Sequence, residues 1–283
     1  MKYNEVAAKI AEFVEAASSF AHSGSQIQTL LANSSHDSLL SHLDYAGVIP
    51  EQFSHDSREE KLFAKYCDAL FAGALSALGL SSQVIDERSN SADVIATFKD
   101  KYSLVGDAKA FRLSRTAKNQ KDFKVEALNQ WRNGADYACL LSPLYQYPNT
   151  NSQIYRQAVR YNVTLLSYTH LAFIIRSGRM DLPSLEVLWS SSKSIEQTGR
   201  ANDYWSHINK LMFSYTGKSE ADWNNAIVES KDRLKEQASA EISFWKERKD
   251  KIAHLEQKEA VHQLIKALKI DSKIAVIKTT GGL

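Results

Sequence analysis

The alternation of apolar and polar positions divides the chain into a helical lead-in, a middle rich in short strands, and a helical end. Val6, Ile10, Phe13, Val14 and Ala17 recur at helical spacing and predict an amphipathic helix over 4–22. Shorter helices follow over 25–33 and 37–46, the second begun by Asp37, and Ile49-Pro50 closes the lead-in. Ser57 and Glu60 have capping-box spacing ahead of Leu62, Phe63, Tyr66, Leu70, Phe71, Ala74 and Leu78, predicting a helix that ends at Gly79. Val94–Phe98 and Tyr102–Gly106 read as strands joined by the short polar turn Lys99-Asp100-Lys101. A helix is expected over 118–133, ended by Gly134. Tyr137–Leu141 and Val163–Leu166 are near-continuous apolar strands suited to a sheet interior, linked by a helix over 152–160. Further helices are predicted over 170–177, 185–190, 204–215, 221–255 and 258–268, then a short edge strand over 274–277 and a loose tail at 279–282. The pattern is α/β: a mixed central sheet flanked by helices, with extra helices at both ends. One elaborated domain over 1–283 is the simplest organisation, with a lead-in (1–50), a core (51–180) and a helical extension (181–283).

Composition adds little to this and excludes some alternatives. A hydrophobic share of 43% and a charged share of 24% fit a water-soluble globular chain. No run approaches the ~18 apolar residues that a membrane span needs, and the amino terminus lacks a signal peptide's apolar core. A cytoplasmic protein without a membrane partner is therefore expected. Cys67 and Cys139 sit in apolar contexts and read as buried free thiols. None of the eight histidines pairs at ligand spacing with another. The formal net charge is only +2, so any nucleic-acid surface has to be concentrated locally.

The chemistry gathers at the hairpin. With its turn centred on Asp100, Asp93 falls opposite Asp107, where Cβ atoms lie about 4.5–5.5 Å apart. Carboxylates that close need a proton or a cation between them. Alternation puts Asp107 and Lys109 on one face with Ala108 pointing away. Two carboxylates and an ammonium suit phosphodiester hydrolysis: hard oxygen ligands take Mg²⁺ with room for water and phosphate, and the ammonium can hold the attacking water or the phosphate. A solvated surface hairpin with ordinary charges fits the same residues.

Beyond Lys109 the cations Arg112, Arg115, Lys118, Lys121 and Lys124 are interleaved with Ser114, Thr116, Asn119 and Gln120. Cations and hydroxyls bind phosphates, while amides and arginine can read bases. This stretch is the candidate contact for double-stranded DNA; a merely solvated charge run is the alternative. Tyr145, Gln146, Tyr147 and Asn149, on a loop after a buried strand, are further possible base readers. Glu60, Glu87 and Asp122 are candidate outer acids beside the metal pair, although Glu60 also serves as a capping residue and Asp122 lies in a helix's first turns.

Asp93 followed by Asp107-Ala108-Lys109 resembles the Asp…(Asp/Glu)-x-Lys signature of the nuclease superfamily that includes most type II restriction endonucleases. Ala92 stands where that superfamily prefers proline. The segment GDAKAFRLSRTAKNQKDFKVEAL resembles more specifically the HindIII restriction endonuclease family. EKLFAK near Glu60, ERSNSADVIA from Glu87 and QYPNTNSQIY from Gln146 resemble it in the same order, together covering roughly residues 55–160. The resemblance implies a homodimer that cuts the palindrome AAGCTT after its first A with two Mg²⁺ per active site, protected against by a cognate DNA methyltransferase. Asp93 and Asp107, with the carbonyl of Ala108, would be metal ligands, and Lys109 would position water or phosphate. A repair or junction-resolving nuclease of the same superfamily, and a non-catalytic DNA-binding protein, are the competing readings of the residues.

Overall fold

A computed structural model describes residues 2–17, 19–85, 91–115, 120–196 and 199–281. The lead-in is α1 (Tyr3–Ala16), α2 (Phe20–Ala32) and α3 (His36–Tyr45), packed beside α4 (Arg58–Ala77). The single helix expected over 4–22 is two. The hydroxyl of Ser19 accepts the His22 N–H at 3.2 Å and starts a new helix, taking the backbone bond that a continuous helix would need. Ser35, not Asp37, caps α3 by accepting from the Ser38 N–H. At α4 the Ser57 hydroxyl accepts from the Glu60 N–H, but Glu60 reaches back to the N–H of Asp56 at 2.6 Å rather than to Ser57.

The sheet comprises β1 (Ser81–Val84), β2 (Val94–Phe98), β3 (Tyr102–Ala108), β4 (Tyr137–Ser142) and β5 (Val163–Ser167), in that spatial order. β1, β2 and β3 are antiparallel neighbours; β3, β4 and β5 are parallel. The hairpin register pairs Val94 with Gly106 and Phe98 with Tyr102, the register that a turn centred on Asp100 dictates. β1 was not legible: its three polar residues and Val84 form an edge whose side chains are exposed or half-buried. Between β3 and β4 the helix expected over 118–133 is broken. α5 (Gln120–Phe123) and α6 (Val125–Gln130) meet at Lys124, whose φ of 49° ends one and starts the other.

The right-hand half of the sheet is buried on both faces, as parallel strands with helical crossovers require. Its crossover is α7 (Gln153–Tyr161), followed after β5 by α8 (Tyr168–Arg176), α9 (Leu182–Trp189) and α10 (Ala201–Thr216). Cys67 and Cys139 are buried free thiols, and burial pushes Cys67 up to about 12. No helix among the described residues is long and apolar enough to cross a membrane.

The remainder is α11 (Glu220–Ala253), α12 (Gln257–Ala267) and α13 (Ile270–Gly281). The expected strand over 274–277 lies inside α13. A four-residue apolar run reads equally as strand or buried helix, and here the run continues a helix from Ile270. The chain forms two compact units, residues 1–237 and 238–283.

α4 packs across β1, β2 and β3 and thereby sets the position of the β2–β3 hairpin. The contact is closest at Gly106, where an added Cβ would meet the ring of the fully buried Phe71. Gly106→Ala is therefore expected to destabilise the protein by about 1–3 kcal/mol, as overpacking of a rigid core does. It should also lower activity, because Asp107 is the next residue. Chemical denaturation checks the first effect, and Phe71→Leu in the same chain should recover part of it.

Candidate active site

Lys109 is fixed by its backbone at both ends. Its N–H donates to the Leu141 carbonyl at 2.7 Å, continuing the β3–β4 ladder, and its carbonyl accepts from the Tyr168 hydroxyl at 3.0 Å. Just beyond, Phe111 pairs with the lead-in: its N–H donates to the Gly47 carbonyl at 2.9 Å, and its carbonyl accepts from the Ile49 N–H at 3.2 Å. Gly47 has a φ of +81°, and an added Cβ would strike Pro143 and Tyr168. Strands, α8 and lead-in loop thus converge on two residues of backbone, which fixes where the Lys109 side chain begins.

That side chain turns to Asp107 and pairs with its carboxylate, as expected from the alternation. Asp107 is buried, its side chain 2% exposed, and Lys109 is largely covered. Asp93 stands just before β2, its N–H donating to the Gly106 carbonyl at 3.0 Å, which brings its carboxylate beside Asp107. Ala108 lies between Asp107 and Lys109, in register with Leu141.

A third carboxylate joins them. Asp68, on α4 and 4% exposed, offers an oxygen to the same point: one carboxylate oxygen from each of Asp68, Asp93 and Asp107 lies within 4.8 Å of the others. Sequence reasoning passed Asp68 over for Glu60, eight residues earlier on the same helix. The signal was present. Asp68 falls within the unbroken core stretch Tyr66, Cys67, Ala69, Leu70, Phe71, where an ionised side chain has no place without a compensating group. Lys65, one turn earlier, brings its ammonium to 3.9 Å from Asp93.

Burial pushes the Asp93 carboxyl above its ordinary range, and the neighbouring Asp107 charge adds to this. Asp68 is pushed well above the ordinary range, first by burial and then by Asp93 and Asp107. Three acids so close, two of them out of water, are mutually destabilising as bare anions. The donor set is all oxygen, clustered and charge-rich, and it fits a hard divalent cation such as Mg²⁺.

The other sequence candidates lie elsewhere. The Glu60 carboxylate accepts from Arg112 at 2.8 Å and from the Asp56 N–H, and lies 3.3 Å from His55. Asp122 pairs with Arg115. The structure brings neither acid to the three aspartates; each holds an arginine of the basic stretch. Glu87 lies outside the described residues, as do Thr116, Lys118 and Asn119. Arg112 also donates to the Pro50 carbonyl at 3.0 Å, and Arg115 lies over the Phe111 ring. Ser114 is anchored through its N–H to Glu51. Gln120, Lys121 and Lys124 are exposed at α5 and its end. On the loop after β4, Gln146 and Tyr147 turn inward, the Tyr147 hydroxyl donating to the carbonyls of Leu140 and Leu166, whereas Asn149 is exposed.

The whole chain agrees with the local resemblance. Residues 4–281 match the family model described as HindIII restriction endonuclease. The chain is 38% identical over 238 residues to the type II restriction enzyme HindIII of Haemophilus influenzae, a match covering 82% of this chain and 79% of that enzyme. With its mixed five-stranded sheet and its helices on either side, the chain belongs to the HindIII restriction endonuclease family.

Proposed function

We propose that this protein, a HindIII-like type II restriction endonuclease, cuts double-stranded DNA at the palindrome AAGCTT, after the first A of each strand, by Mg²⁺-dependent hydrolysis. The observation that carries the reading is the meeting of Asp68, Asp93 and Asp107 with Lys109 at the end of β3, in a chain that matches the family from residue 4 to 281. Asp93, Asp107 and the Ala108 carbonyl would hold the metal, two ions per site being the family expectation, with Asp68 as an added acidic ligand. Bound Mg²⁺ supplies Lewis-acid stabilisation of the phosphorus oxygens and a water of lowered pKa.

The protein's own groups do the rest. Asp107 orients Lys109 through their ion pair, and the bonds to Leu141 and Tyr168 keep the lysine backbone still. The Lys109 ammonium would hold the attacking water or the scissile phosphate, its position set by Asp107. The walls of α4 and the sheet keep bulk water from the buried side of the site. Arg112, Ser114, Arg115, Thr116, Lys118, Asn119, Gln120, Lys121 and Lys124 take the duplex, the cations on phosphates and the amides on base edges. A palindrome presents two equivalent strands, so a homodimer with two equivalent sites is the matching assembly. A cognate methyltransferase completes the system, since an unopposed cutter of this kind destroys its host's DNA.

Digestion of a long DNA of known sequence, with Mg²⁺ and with EDTA, tests the reading. Discrete Mg²⁺-dependent fragments ending at AAGCTT are expected. Fragments ending at another fixed sequence would refute the specificity alone. An unordered smear would point to a nuclease that reads DNA shape.

A further inference from the structure

We propose that Lys65 couples metal loading to DNA: its ammonium opposes a divalent cation at Asp93 until a DNA phosphate draws it away. This role rests on the metal reading given above and falls to a residue that the reading leaves without one. Lys65 and Asp68 lie three residues apart on α4 and share the side of the helix that meets the β2–β3 hairpin. Asp68 reaches the acid cluster, and Lys65 brings its Nζ to 3.9 Å from an Asp93 oxygen. Among the described residues, two ammonium groups thus pair with the three carboxylates, Lys109 from the end of β3 and Lys65 from α4.

The two pairs differ in kind. Lys109 and Asp107 are hydrogen-bonded and closed off, their side chains 16% and 2% exposed. Lys65 and Asp93 form the open side of the cluster, 30% and 37% exposed. Their 3.9 Å contact is longer than an N–H···O hydrogen bond, which spans about 2.7–3.2 Å. Attraction holds this pair without a directional bond, and the flexible lysine stem lets such an ammonium swing to another anion. A scissile phosphate has to enter from the side that solvent reaches, and there it meets Lys65 and Asp93 first.

This position sets up a competition. A divalent cation held by Asp93 and an ammonium 3.9 Å from the same carboxylate repel each other. Without DNA, Lys65 therefore lowers the affinity for the metal. A phosphate beside the cluster gives the ammonium another counter-charge, and the opposition falls. Metal then favours DNA and DNA favours metal by the same factor, as linkage requires. A unit charge within about 4–6 Å changes a carboxylate's proton affinity by roughly 10–1000-fold. Solvent screening of this half-open pair puts Lys65 at the lower end. The site thus takes up its metal most readily when a duplex is in place.

Calorimetric titration of Ca²⁺ into the full-length protein, alone and with a duplex carrying AAGCTT, tests this. The variants are Lys65→Met, Lys65→Arg and, as an exposed control on the same helix, Lys61→Met. Methionine keeps the apolar stem and drops the charge, and circular dichroism verifies the fold. K65M alone should bind Ca²⁺ about ten-fold more tightly than wild type, and the factor by which the duplex tightens Ca²⁺ should shrink by a similar amount. K65R, which keeps the charge, and K61M should behave like wild type. A K65M affinity within about three-fold of wild type in the free protein, or an unchanged duplex factor, would overturn the proposal. The metal reading is checked apart from it by Asp107→Asn. If wild type takes up Ca²⁺ and D107N does not, an unaltered K65M refutes the role of Lys65 alone. If neither wild type nor K65M takes up Ca²⁺, the metal reading falls and the role of Lys65 with it.

Discussion

Asp107→Asn is expected to lower cleavage by at least ~10³-fold while leaving the fold and DNA binding in place. Asparagine keeps the shape of the side chain and an oxygen that can accept from Lys109, so the buried ammonium is not orphaned. It removes one of three crowded negative charges, which should leave the metal-free protein as stable as before or more so. What it takes away is the carboxylate that pairs with the lysine and that we assign to the cation. Loss of a single preorganised electrostatic group costs about 10²–10³ in rate, and this group serves two functions. Single-turnover cleavage measures the effect, with DNA binding in Ca²⁺ as the control. A variant that cut within ten-fold of wild type would remove Asp107 from the chemistry.

The second large effect concerns stability. Asp68 and Asp93 have carboxyls held above their ordinary value of 3.8, so between that pH and their folded values the native state binds more protons than the unfolded chain. Stability then falls as pH rises through this window. In EDTA, the protein should be most stable at the acid end of the window and lose that advantage once both acids ionise. A divalent cation reverses the trend, because it binds the ionised ligands and gains affinity as they shed protons. At a hundred times its dissociation constant the cation should add about 2.7 kcal/mol, or about 5–10 °C in melting temperature for a chain of this size. Thermal melts at several pH values, with EDTA and with Ca²⁺, give the answer. Asp68→Asn should reduce both the pH slope in EDTA and the gain with Ca²⁺. A melting temperature indifferent to Ca²⁺ at neutral pH would mean that the three acids hold no cation.

The hairpin was legible because its register follows from local rules: a short polar turn and alternating strands place Asp93 opposite Asp107 whatever the rest of the chain does. β4, β5 and their crossover were legible because fully buried parallel strands leave a continuous apolar run. Other features depend on distant contacts. Ser81–Val84 is a strand only because β2 offers an edge. Asp68 meets Asp93 and Asp107 only because α4 crosses the hairpin, and helical periodicity says nothing of what lies opposite a helix face. Glu60 was the more visible acid, standing at a helix start where the capping pattern drew attention, yet its partner Arg112 lies far along the chain. The break of 4–22 at Ser19 is a local choice between two hydrogen-bonding schemes, which apolar spacing alone does not separate.

The basic stretch has a consequence for how DNA affinity responds to salt. A cation that neutralises a phosphate releases condensed counterions, and the logarithm of affinity falls with that of salt by about 0.9 per phosphate so neutralised. Arg112 and Arg115 are already compensated by Glu60 and Asp122. If those pairs persist in the complex, neither arginine contributes to the slope. If a phosphate displaces the carboxylate, the arginine contributes and a free anion is left facing the backbone. In the first case the slope reports fewer charges than the sequence displays; in the second the gain at each phosphate is offset by the cost of breaking an existing ion pair. On the proposed DNA contact, the two acids would lower the affinity for DNA in general and leave a larger share of the binding to groups that meet the bases.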